Sequence, residues 1–262
     1  MQSLKEILEK VSRKEISPAE AEKMLKLLAV DELGYLAKLD GNRELRKGIP
    51  EVILAEGKTP EDVSEICRRM LACSSRVIVS RCCKEHFQAI KAIPTDDLIV
   101  EINDKARMAV LKKKTFTAAA GGGRIAILTA GTSDIPVAEE AKVIAQETGC
   151  TVYCSYDVGV AGIHRLFEPI KQVIARDVDV VIVVAGREGA LASVVSGLVD
   201  VPVIAVPTSN SYGFGAKGVS TLMAMLQSCS LGLAVVNIDG GVAAGAVATL
   251  IANRAAKFRK EY

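Results

Sequence analysis

Five stretches in the second half of the chain concentrate the residue types that hold anions and move protons. They are Ala130-Gly131-Thr132-Ser133-Asp134, YDVGVAGIHR (156–165), AGREGA (185–190), PTSNSYGFGAKG (207–218) and NIDGG (237–241). A glycine-containing loop that runs into a helix leaves backbone N–H groups free, and with the helix dipole these form a cradle for phosphate or carboxylate. Gly131, Thr132, Ser133 and Asp134 stand in such a loop, just ahead of Pro136, a residue suited to the first turn of a helix. Ser133 and Asp134 also occupy cap positions, and Glu139 and Glu140 add acid to the early turns. Arg165 is the better phosphate candidate of its loop, because a guanidinium fork matches phosphate oxygens. Glu188 and His164 are among the other proton-carrying side chains of these loops. Each has a plainer reading: Glu188 could cap the next helix or pair with Arg187, and His164 could sit satisfied in its loop.

The elements around these loops alternate. Strands are expected at 125–129, 151–155, 178–184, 203–206 and 234–238, each a short apolar run of the kind buried on both faces of a parallel sheet. Helices are expected at 136–147, 162–175, 190–198, 218–228 and 243–254. This is the pattern of an α/β fold with a doubly wound parallel sheet, whose ligands collect at the carboxyl ends of the strands. All five loops fall on that edge.

The first half reads as a smaller α/β unit behind two amphipathic helices (2–29), the second opened by the capping box Ser17-Pro18-Ala19-Glu20. Strands are expected at 35–39, 52–54, 76–80 and 98–102, helices at 59–70 and 84–93, and a turn at Asp40-Gly41-Asn42. Asp40, Arg43, Arg46, Glu51 and Lys58 form a charged set, read as a solvated rim or a site. Cys82, Cys83 and His86 lack the paired Cys-x-x-Cys halves of a zinc module and read as core. KKKTFTAAAGGG (112–123) reads as a linker, so the domains are set at 1–117 and 118–262.

Composition narrows the function. A net charge of +2 over 262 residues gives no case for attraction to nucleic acid or membrane. No run of about 18 apolar residues is present, and SLKEILEKVSRKEIS reads as too charged for a signal peptide. Seven scattered cysteines read as reduced thiols of a cytoplasmic protein. The glycines at 121–123 precede their strand, and those at 240, 241 and 245 have the wrong spacing for a dinucleotide fingerprint. Walker A is absent and aromatics are few, so neither NAD redox chemistry nor flavin is expected.

The motifs then point to a family. GTSDIPVAEEA resembles the G-S-x-S-D-x-P loop of phosphoribosylaminoimidazole carboxylases, the PurE family. Gly162-Ile163-His164-Arg165 falls at its A-H-R, and VIAVP (203–207) at its V-I-G-V-P. AGREGA replaces that family's A-G-G-A-A-H-L, and Leu226-Gln227-Ser228-Cys229 replaces its Q-M-P. These departures, with DVGVAGIHR, NSYGFG, VVNIDGG and LDGNRELRKGIPEVILAEGKTPED, are similar to the LarB family of pyridinium-3,5-biscarboxylic acid mononucleotide synthases. That resemblance implies carboxylation of nicotinic acid adenine dinucleotide at ring C5, then phosphoanhydride hydrolysis releasing AMP. It places the catalytic cysteine and glutamate at Cys229 and Glu188, although a lone cysteine after an apolar helix is more often core. Carbon dioxide or bicarbonate would be the co-substrate. Magnesium is a candidate aid to hydrolysis, with Asp134, Asp157 and Asp239 as its candidate ligands. His164, Arg165, Ser209, Tyr212 and Gly213 complete the expected site, and a homo-oligomer, dimers assembling to an octamer, is expected. Two rivals are a PurE-type carboxylase or mutase and a nucleotide-binding module without catalysis.

Overall fold

Arg124–Thr129 (β5), five of its six residues buried, is the strand about which the larger sheet is ordered. The structure, a computed structural model, describes residues 4–31, 43–94, 96–118 and 120–259. The expected strand at 35–39, the turn at 40–42 and Asp40 lie outside them.

The chain opens with Leu4–Ser12 (α1) and Pro18–Asp31 (α2). The predicted box forms there: Ser17 N–H donates to Glu20 Oε2 at 2.8 Å and Glu20 N–H to Ser17 Oγ at 3.2 Å. Next come Arg43–Lys47 (α3), Val52–Leu54 (β1), Pro60–Cys73 (α4), Arg76–Ser80 (β2), Lys84–Lys91 (α5), Leu98–Asn103 (β3) and Met108–Lys113 (β4). Their four-stranded sheet has the order β1-β2-β4-β3, with β1 parallel to β2 and the other pairs antiparallel. Strand β4 corrects the linker reading. Met108 to Leu111 are all buried, so no alternation announces a strand, and its last two residues, Lys112 and Lys113, belong to the charge run. Arg43 pairs with Glu51 at 2.8 Å, and Lys58 Nζ donates to Leu54 O at 2.7 Å.

After β5 the chain forms Ile135–Glu147 (α6), Thr151–Ser155 (β6), His164–Ala175 (α7), Val180–Ala185 (β7) and Ala190–Ser196 (α8). Val203–Pro207 (β8), Val219–Leu226 (α9), Leu233–Val235 (β9) and Gly241–Arg259 (α10) complete it. The strands are all parallel, in the order β6-β5-β7-β8-β9. One face packs Leu128, Val183 and Ala205 against Leu166 of α7, Leu191 of α8 and Met225 of α9. The other packs Ile127, Ile182 and Val206 against alanines of α6 and α10. Those two helices touch closely: a Cβ on Gly245 would lie 2.6 Å from Ala141 O. The abundance of Ala and Gly in the sequence is the mark of that seam.

The smaller sheet lies across the outer side of the same pair. Ile78, Met108 and Val110 pack on Val143 and Ile144 of α6 and on Val242 and Ala246 of α10. Ion pairs rim the contact, Glu147 meeting Lys112 at 2.6 Å and buried Arg76 at 3.5 Å. No helix among the described residues is long and apolar enough to cross a membrane.

Candidate active site

Strand β6 pairs on one side of β5 and β7 on the other, so the connections leaving β5 and β7 diverge. A crevice forms at such a point because no loop crosses it. Here it encloses about 420 Å³ and is lined by Gly131, Ser133 and Asp134 after β5, Gly159 to Ala161 and Arg165 after β6, Gly186, Arg187 and Glu188 after β7, and Asn210 after β8.

The floor is held by Asp134, 3% exposed. Its Oδ2 accepts the Gly131 N–H at 2.9 Å and its Oδ1 accepts the Thr208 hydroxyl at 2.7 Å. Asp134 stands at the N-cap of α6 but makes no side-chain cap bond, which corrects the cap reading. Its carboxylate staples two loops instead. Asn210 Nδ2 adds a second tie to Ser133 O at 2.7 Å. Gly186 lies so close that a Cβ would come within 2.8 Å of Thr208 Oγ1. Asp134→Ala is therefore expected to lower stability by about 1–3 kcal/mol, since it strands a buried hydroxyl and an amide. A urea midpoint checks this; an unchanged midpoint would mean that the loops hold without the staple.

Other expected residues gather around the rim. Asp157, in left-handed backbone at φ 58°, takes an ion pair from Arg165 Nη1 at 2.7 Å, while its N–H donates to Thr129 Oγ1. Glu188 is exposed, and no partner holds its carboxylate among the described residues. It neither caps α8, whose N-cap is Gly189, nor pairs with Arg187. His164 is exposed at the start of α7, outside the crevice lining. Asp239 Oδ1 accepts the Ser209 N–H at 2.9 Å on the neighbouring loop. Thr132, Tyr212 and Gly213 are exposed on the same edge of the sheet. Arg187 and Asn210 were not singled out by sequence reasoning, although both lie inside motifs that it used.

The three aspartates considered for magnesium sit on three separate loops, each engaged as described. No group of three or more His, Cys, Asp or Glu side chains suited to a metal exists among the described residues. At Cys83 and His86 the thiol and the amide both lie within 3.2 Å of Nδ1, and Nε2 lies 2.9 Å from Lys58 O. Both ring nitrogens are thus engaged, Nδ1 by the local turn and Nε2 by the distant Lys58 carbonyl.

Burial separates the cysteines. It pushes the thiols of Cys67 and Cys82 up to about 12 and that of Cys150 up to about 11. Cys229 is the exposed one of the six described cysteine side chains. It follows α9 and does not line the crevice. Its neighbours Ser228 and Ser230 both bond to Ser193 on α8, at 2.8 Å each. Glu188 lines the crevice and Cys229 does not.

Comparison with known proteins divides the chain along the same lines. Residues 30–114 match a family described as the LarB/PurE-like N-terminal domain, and residues 124–261 match AIR carboxylase. An uncharacterised protein of Methanocaldococcus jannaschii is 43% identical over 255 residues, covering 95% of this chain and 97% of its own length. The N5-carboxyaminoimidazole ribonucleotide mutase of Thermotoga maritima is 29% identical over 133 residues, covering 49% of this chain and 74% of that enzyme. The mutase of Pyrococcus horikoshii is similar at 29% over 132 residues, 48% of this chain and 71% of that enzyme.

Proposed function

The chain belongs to the LarB-type proteins with a PurE-like C-terminal domain, and from that premise we propose that it carboxylates nicotinic acid adenine dinucleotide at ring C5 and then releases AMP by hydrolysis. The supporting observation is the pairing of both family domains in one chain with an unpartnered carboxylate, Glu188, on the rim of a crevice that also presents arginines.

A pyridinium ring is too electron-poor to attack carbon dioxide. Addition of the Cys229 thiolate at ring C4 forms a carbon–sulfur bond and neutralises the ring, leaving a dihydropyridine whose enamine carbon is C5. That carbon bonds to carbon dioxide. Glu188 takes the C5 proton, the carbon–sulfur bond breaks, and the aromatic cation returns. The thiol must both attack and leave, which suits sulfur better than oxygen. Cys229 follows the C-terminal end of α9, where the helix dipole does not favour a thiolate. The cationic ring supplies that stabilisation when it is bound. Because Cys229 is exposed and outside its own crevice, it acts in the crevice of a neighbouring copy in a homo-oligomer. Exposed Phe214, Met223, Leu226 and Leu231 flank it in sequence and supply apolar surface for that association.

Product masses after incubation with the dinucleotide and bicarbonate test the reading. The dicarboxylated mononucleotide with AMP is the expected pair. Interconversion of carboxylated aminoimidazole ribonucleotides instead would favour the mutase reading, for which the 29% identity to mutases speaks. A dinucleotide bound but unchanged would leave a binding module.

A further inference from the structure

Two guanidinium groups face the crevice, and they are not equivalent. Arg165 is neutralised by Asp157 at 2.7 Å. Arg187 pairs with no carboxylate among the described residues. Its guanidinium carbon lies 4.1 Å above the Tyr212 ring, and its Nη2 meets the Tyr212 hydroxyl. The Thr221 hydroxyl donates to the Arg187 carbonyl, which anchors the backbone from α9. That backbone is left-handed, φ 53°, a conformation costly for a side chain as large as arginine and one that concentrates at functional sites. Stacking on the ring fixes the plane of the fork and leaves the remaining N–H donors unspent. Tyr212 is itself 72% exposed, so little protein covers the pair.

We propose that Arg187 is the anion-recognising side chain of the crevice, that it takes a phosphate or diphosphate ester, and that Tyr212 is a positioning residue that holds it. The assignment rests on the dinucleotide reading above for its substrate. The residues themselves argue for anion recognition whatever the base or ring attached. A fixed, unneutralised guanidinium offers two parallel donors to two phosphate oxygens, whereas Arg165 already spends Nη1 and its charge on Asp157. Tyr212, expected from the sequence to touch substrate, is thereby reassigned to the support of Arg187.

The test measures affinity for the dinucleotide and, separately, for inorganic pyrophosphate. Arg187→Gln leaves a polar amide at the position but removes the charge and the reach of the fork, and is expected to weaken both about 10- to 50-fold and to flatten their salt dependence. Arg187→Lys should recover part of the loss. Tyr212→Phe keeps the stacked ring and should stay within about threefold of wild type, whereas Tyr212→Ala should lose about tenfold. Once Arg187 is Gln, Tyr212→Ala should add nothing, the mark of one residue acting through another. An Arg187→Gln protein that melts lower but binds both anions as wild type does would overturn the proposal. If wild type binds pyrophosphate and Arg187→Gln does not, while neither binds the dinucleotide, the assignment of Arg187 stands and the substrate reading fails.

Discussion

Cys229→Ser is expected to fold, to bind the dinucleotide and to release no carboxylated ring. Serine nearly matches the shape of cysteine, and the site is exposed, so folding should be insensitive. Its hydroxyl is far less ionised and adds poorly to an aromatic cation. Yield of the dicarboxylated product should drop by about three orders of magnitude or more, the scale on which loss of a catalytic nucleophile registers. Phosphoanhydride cleavage should persist, since it needs positioned water rather than sulfur. A second measurement addresses the separation of Cys229 from its own crevice. Glu188→Gln should also be inactive, because the amide cannot accept the ring proton. If Cys229 reaches a neighbour's crevice, co-assembled Cys229→Ser and Glu188→Gln chains will contain crevices with an intact Glu188 and an intact Cys229, and activity will return in part. Wild-type yield from the serine variant would sink the covalent mechanism. Inactive mixed assemblies would sink the sharing between copies.

Glu140→Gln is expected to stabilise the protein above neutrality and to leave it unchanged near pH 5. Glu140 is 8% exposed, and burial raises its carboxyl from 4.5 to about 7. The groups that face it come from four elements or turns. Arg81 follows β2, Arg107 lies in the β3–β4 turn, Asp239 precedes α10, and the Val242 N–H belongs to the first turn of α10. The cations and the amide favour ionisation, while Asp239 joins burial in opposing it. The folded chain binds this proton more tightly than the unfolded chain. Stability is therefore lost as pH rises from about 4.5 to about 7, and the loss is complete above that. A difference of more than two decades in proton affinity corresponds to about 3 kcal/mol at most. Glutamine keeps an acceptor for the Val242 amide and carries no charge, so about 1–3 kcal/mol should be recovered at pH 8. Urea unfolding of both proteins at pH 5 and pH 8 checks it; an equal difference at both values would remove Glu140 as the cause.

Glu140 also shows where sequence reasoning stops. Glu139 and Glu140 read as acids in the early turns of a helix. Both are buried, and Glu139 bonds to Tyr156 and to Asn103 of the smaller unit. Nothing local encodes that, because the covering sheet arrives from another part of the chain. The alternation of strands and helices was legible because runs such as Val180–Ala185 are buried on both faces and too short for helices. Strand β9 ends at Val235 rather than 238, although Val236 still donates its N–H to Ala205 O at 3.0 Å and packs on the core. The loops of the crevice were legible as compositions, but their bonds were not. Asp134 meets Thr208 across 74 positions and Arg187 meets Tyr212 across 25, distances at which no periodicity links two side chains.

The smaller sheet that lies over α6 and α10 makes the larger unit dependent on its cover. Its contact replaces water at Val143, Ile144, Val242 and Ala246. Cut free of its first 117 residues, the PurE-like unit would turn these four apolar positions to solvent, a patch that invites self-association until it is covered again.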